Sequence, residues 1–181
     1  MKGIVFNEFI DFVESAHGIV AVDEMITTVN PASGGAYTAA GYYDFQELVA
    51  MVVALSNRCG TPVAALVRGF GQHLFGRLIG MRSDLLKTMP DVRTFLESIE
   101  GQIHVEVGRI YPDADLPTLT TERRGDGVFA LRYRSRRHLA DLAHGMIDGC
   151  IAHYGEQIVL TRNDFPDEGE LQVTEFVLAW M

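Results

Sequence analysis

Apolar residues recur at helical spacing over roughly the first 111 positions, and the spacing becomes mostly extended after them. Ile4, Phe6, Phe9, Ile10 and Val13 share one side of a first helix ending near His17-Gly18, with Glu8, Asp11 and Glu14 mostly on the other. A second helix is predicted over Val20–Val29, closed by the Pro- and Gly-containing loop 30–35. Asp44 is placed to cap a helix over Phe45–Asn57, with Glu47 at the capping-box position. Thr61-Pro62 supplies the N-cap and first turn of a helix reaching Gly80. Gly69, Gly71 and Gly76 inside that helix each cost roughly 1 kcal/mol relative to Ala, which points to close packing against a neighbour. Asp91 starts the last helical stretch, Val92–Ile110, with a break expected at Gly101.

After Tyr111-Pro112, strands are predicted over Leu116–Arg123 and Val128–Arg134, joined by Gly125-Asp126-Gly127, residues that tolerate the positive φ of a hairpin turn. Helical spacing returns over His138–Tyr154 through Leu139, Leu142, Ala143, Met146 and Ile147, with Gly155 as the C-cap. Two further strands, Gln157–Arg162 and Leu171–Ala179, flank a turn at 163–169. The chain shows no internal repeat or linker. The predicted class is therefore α+β, one domain over 1–181, with a helical part to about 111 packed on a four-stranded antiparallel β-β-α-β-β part from about 112.

Composition narrows the functions. At 181 residues, 48% hydrophobic and 22% charged, the chain resembles an ordinary globular domain. Fifteen Lys plus Arg against 24 Asp plus Glu leave a net charge of −9, which argues against nucleic acid as the main partner. Cys59 and Cys150 form no CxxC pair, so neither a disulfide scaffold nor a four-cysteine zinc site is expected. Glu8 and Asp11 interrupt the N-terminal apolar residues too early for a signal peptide, and the longest apolar run, Leu48–Leu55, is too short to span a membrane. A cytoplasmic location is the expectation.

The candidate chemistry begins with Tyr133-x-Ser135-x-Arg137. In an extended segment these three share a face, offering a phenol, a hydroxyl and a guanidinium fork suited to carboxylates or phosphates. Alone, such an alternation is more commonly a solvated strand end. His104 lies late in a helical segment with apolar neighbours, where a lone histidine is more commonly a hydrogen-bonded core or surface residue. Pro117 follows it by thirteen residues. Asp141, His144 and Asp148 fall on one helix face, and Cys150 and His153 have ligand-like spacing. A polar solvated face is the expected reading of the first set, and only one other cysteine exists to complete the second. Cys59, at a helix end, is expected to be a small buried residue, with a redox-sensitive thiol as the alternative.

Taken together, Met1-Lys2-Gly3, His104, Pro117 and the Tyr133/Ser135/Arg137 triplet resemble the bacterial haem-nitric oxide/oxygen binding (H-NOX) domain, over essentially the whole chain. The resemblance implies that His104 is the proximal ligand of a noncovalent haem b held between the two parts, in keeping with the lack of a CxxCH attachment motif. It implies that Tyr133, Ser135 and Arg137 hold the propionates and that Pro117 packs against the porphyrin and bends it. Met1, Val5, Phe9 and Leu142 would line the pocket. Family members that bind O₂ carry a tyrosine nine residues after the motif tyrosine, where this chain has Leu142; His73 aligns loosely with another polar position of that network. An apolar distal side implies NO and CO binding with exclusion of O₂. The implied output is release of His104 on NO binding, read by a separate partner: a histidine kinase, or a cyclic-di-GMP synthase or phosphodiesterase. A peroxidase-like haem enzyme and a haem-free interaction module are the alternatives. The first would need distal acid-base groups, and the second has no need of both His104 and the triplet.

Overall fold

The computed structural model describes residues 1–81, 86–125 and 127–181. Four helices, α1 (Gly3–His17), α2 (Ile19–Val29), α3 (Phe45–Cys59) and α4 (Val63–Met81), come first. Gly18, at φ 83°, ends α1 and lets α2 turn back beside it. The Asp44 carboxylate accepts from the Gln46 N–H at the start of α3, as a cap should. Glu47 does not complete a capping box, because its carboxylate accepts instead from the Ser33 and Tyr37 hydroxyls. α5 (Val92–Ser98), capped by Asp91, runs into a π-helical turn (Ile99–Ile103) and then α6 (His104–Ile110). β1 (Thr118–Arg123), β2 (Val128–Ser135), α7 (Ala140–Tyr154), β3 (Ile158–Glu168) and β4 (Leu171–Trp180) complete the chain.

The sheet is wholly antiparallel in the order β1-β2-β4-β3. The class is α+β, with the helical N-terminal part and C-terminal sheet that the periodicities predict. Phe129, Leu131, Phe176 and Leu178 form the apolar face of the sheet and pack with Phe75, Phe95 and Ile147. Phe6, Phe9, Val13, Met51, Leu55 and Phe70 form a second core among the first helices. α4 contributes to both, and Met146 of α7 packs against both.

α4 and α7 cross with backbones nearly touching. A Cβ at Gly71 would lie 2.3 Å from the Leu142 carbonyl oxygen, and one at Gly145 would lie 1.9 Å from that of Arg68. The close approach anticipated for the α4 glycines is thus real at Gly71, is an ordinary contact with Phe12 at Gly69, and does not exist at Gly76, where nothing lies within 4 Å.

Two boundaries differ from expectation. β3 continues through Phe165-Pro166 to Glu168 with a bulge, where a turn was expected from 163; as an edge strand it tolerates a proline and polar outward residues. β2 ends at Ser135, so Arg137 sits in a turn and not on the strand face shared by Tyr133 and Ser135. Among the described residues no single helix is long and apolar enough to cross a membrane.

Candidate functional site

The π-helical turn directly precedes His104. The His104 N–H donates to the Ile99 carbonyl, one residue further back than in an α-helix, and this wider turn re-aims the face that His104 presents. Its side chain is mostly buried, at 16% exposure, and Nδ1 lies 3.1 Å from Glu100 Oε2. The same Glu100 oxygen accepts the Leu119 N–H at 3.1 Å. Leu119 pairs with Tyr133 across β1 and β2, so two hydrogen bonds through Glu100 and one ladder position join His104 to the triplet. Pro117 lies immediately before β1, at the end of the sheet where Thr118 pairs with Arg134.

Tyr133 and Ser135 are buried polar residues, at 2% and 7% exposure. The Tyr133 hydroxyl oxygen accepts the Leu139 N–H, and Ser135 Oγ accepts the Arg137 N–H. Each hydroxyl accepts a backbone N–H, and the Ser135 hydroxyl also bonds the Tyr133 side chain, which draws the two polar groups together. Burial pushes the Tyr133 phenol above its ordinary pKa, so it stays protonated. Arg137 Nε donates to Asp115 at 3.2 Å, which shows the guanidinium already oriented toward a carboxylate. Met1 is close by: its amine donates to the Tyr43 carbonyl at 2.7 Å and is held below its usual pKa by burial and by the Arg137 charge.

Met1, Arg137 and Leu142 line one apolar cleft of about 230 Å³ together with Leu48, Val52 and Phe70. Phe9 does not reach that cleft. It is fully buried, edge-on to Phe70 with ring centroids 5.2 Å apart, and the partly buried Val5 packs against the same core. His73 is turned to a different partner. Its Nε2, buried and without a hydrogen bond among the described residues, lies 3.5 Å from Glu8, a buried carboxylate that takes two hydrogen bonds from Arg77, and its ring packs on Phe12.

The other sequence candidates do not assemble. Asp141 pairs with Arg162, Asp148 is held bidentately by Arg68, and no group of three metal-ligating side chains occurs among the described residues. Cys150 is buried, and that burial drives its thiol pKa far up, while the His153 ring packs on Phe75 and Tyr154. Cys59 is only partly buried, and a hydrogen bond with Thr61 lowers its thiol pKa. Sequence reasoning missed Glu100 and Asp115. The i, i+4 spacing of Glu100 and His104 was the available signal for the first; the second is visible only once the segment before β1 is folded.

The haem-NO-binding family model matches residues 2–162. No curated protein sequence matches the chain. Solved structures do. An Fe(II) unliganded H-NOX protein from K. algicida is 31% identical, with 100% of this chain and 97% of that one covered and a TM-score of 0.89. An H-NOX protein from S. oneidensis in the Fe(II)NO state is 26% identical, covering 100% and 99%, also at 0.89. An H-NOX domain from Shewanella oneidensis in the Fe(II)CO state is 27% identical, covering 100% and 99%, at 0.86. With the family model spanning most of its length and its fold reproduced throughout, the chain belongs to the haem-NO-binding (H-NOX) family of haem-based gas sensors.

Proposed function

We propose that this protein senses NO and CO at a ferrous haem b bound through His104, excludes O₂, and signals to a separate cytoplasmic protein by releasing that histidine. The observation that carries the reading is His104 itself. Nδ1 is held by a carboxylate, and Nε2 makes no hydrogen bond with the described residues, leaving a bare nitrogen for a metal.

The surrounding residues fit the group. Tyr133 and Ser135 bring two hydroxyls, joined by a side-chain hydrogen bond, near Arg137, whose guanidinium already meets a carboxylate at Asp115; the guanidinium and the phenol proton suit propionates. A bound ferrous haem would supply an iron able to take imidazole on one side and a diatomic gas on the other. Leu142, on the cleft, and Val5 and Phe9, in the adjoining core, offer no hydrogen-bond donor, and O₂ needs one far more than NO does. Arg77 of α4 is bound to Glu8 of α1, and His73 Nε2 lies 3.5 Å from the same carboxylate. His104 begins α6 directly after an irregular turn, so its release frees a helix end that is already off the regular ladder. The partner is a histidine kinase or an enzyme that makes or degrades cyclic-di-GMP.

Replacing His104 with Gly tests the assignment. The variant loses most of its haem and regains it when imidazole is supplied; unchanged haem content and ferrous spectrum would contradict the reading.

A further inference from the structure

A neutral imidazole carries one N–H and one bare nitrogen, and a metal takes the bare one. The partner of the first nitrogen therefore decides which atom becomes the ligand. For His104 that partner is Glu100, whose Oε2 lies 3.1 Å from Nδ1 and accepts the Leu119 N–H at the same distance. An ionised carboxylate can only accept, so the ring proton belongs on Nδ1. Three segments meet at this one oxygen: the π-helical turn that carries Glu100, the first residue of α6, and β1. Glu100 is 47% exposed, and an ion pair so open to water adds little to stability. Its effect lies in orientation.

We propose that Glu100 is the positioning residue of His104, holding it in the Nδ1–H tautomer with Nε2 presented as ligand and tying it to β1 beside Pro117 through the Leu119 N–H. The proposal rests on the reading of His104 as the haem ligand. Donation of the N–H to a carboxylate makes the imidazole more basic and a stronger ligand, so Glu100 opposes release of His104 and sets how readily NO displaces it. When the histidine does swing away, the hydrogen bond either stretches or draws Glu100 with it. The second course disturbs the Leu119 bond and carries the displacement into the sheet.

Glu100→Gln keeps the size and an oxygen for Leu119 but removes the charge. In the haem-free protein, ¹⁵N shifts of the His104 ring should report one Nδ1–H tautomer in the wild type and a mixture in the variant. In the ferrous protein under argon, the iron–histidine stretching frequency should fall in the variant, and haem should dissociate about 10-fold faster. Circular dichroism checks that the variant is folded; if it is not, Glu100→Asp carries the same test, because the shortened acid no longer reaches His104. An unchanged tautomer with an unchanged stretching frequency in a folded variant overturns the role of Glu100 and leaves His104 as ligand. A wild type that binds haem without that vibration overturns both.

Discussion

Gly145→Ala tests the crossing that seats Leu142. The new Cβ would lie 1.9 Å from the Arg68 carbonyl oxygen, 2.8 Å from its carbon and 3.0 Å from Cα. All three are backbone atoms, so no side chain can swing aside. Restoring a contact of about 3.5 Å requires α4 and α7 to part by roughly 1.5 Å. That movement also loosens Gly71 from the Leu142 carbonyl and Gly149 from Phe75, and unpacks Leu142 and Met146 from the helical core. Overpacking of this kind costs about 1–3 kcal/mol, and the backbone clash places it near the upper figure. For a domain of this size each kcal/mol moves the melting temperature by about 2–4 °C, so a fall of about 6–12 °C is expected. Gly76→Ala makes the same chemical change in α4 where nothing lies within 4 Å. There the better helix propensity of Ala adds about 1 kcal/mol and raises the midpoint. Thermal unfolding followed by circular dichroism measures both. A Gly145→Ala protein that melts with the wild type, or a Gly76→Ala protein that loses as much, would refute the reasoning.

Leu142→Tyr adds a phenol donor to the cleft that Leu142 lines, and O₂ affinity should rise, seen as a shift of the ferrous spectrum in air; O₂ binding that does not change would count against Leu142 as a distal residue. Acid should destabilise the protein in a defined window. Arg124 holds the buried Glu175 carboxyl below its usual 4.5, Arg123 does the same for Glu97, and the Thr94 N–H lowers Asp91. Groups with depressed folded values stabilise fully above their unfolded values, so unfolding midpoints should hold near neutrality and fall once pH drops through about 4.5. In Arg124→Ala the midpoint should already be lower at pH 7, and its deficit against the wild type should shrink as Glu175 protonates; a deficit independent of pH would refute the pairing.

Period changes made most of the fold legible. Among the described residues apolar spacing located every long helix, and Gly125 and Gly127, both at positive φ, marked the hairpin between β1 and β2. Legibility failed where tertiary context overrides local chemistry. The segment 163–168 is rich in turn formers, yet it pairs with β4 because an edge strand has one side free to accommodate them. The π-helical turn is hidden because no residue type in 99–103 distinguishes an i→i−5 bond from an i→i−4 bond; Gly101, where a break was expected, lies inside it. At the site, the family resemblance singled out His104 and the triplet; Glu100 stands at i, i+4 from His104, but its second bond, to the Leu119 N–H, and the Asp115–Arg137 pair form only when the chain around β1 is folded.

An absorption spectrum of the dithionite-reduced protein under argon, in air and after addition of NO tests the central claim most directly. The account predicts a ferrous Soret band that does not move in air and shifts on NO to that of a five-coordinate nitrosyl, with His104 released. A stable shift in air, or a protein that takes up no haem on reconstitution, would contradict it.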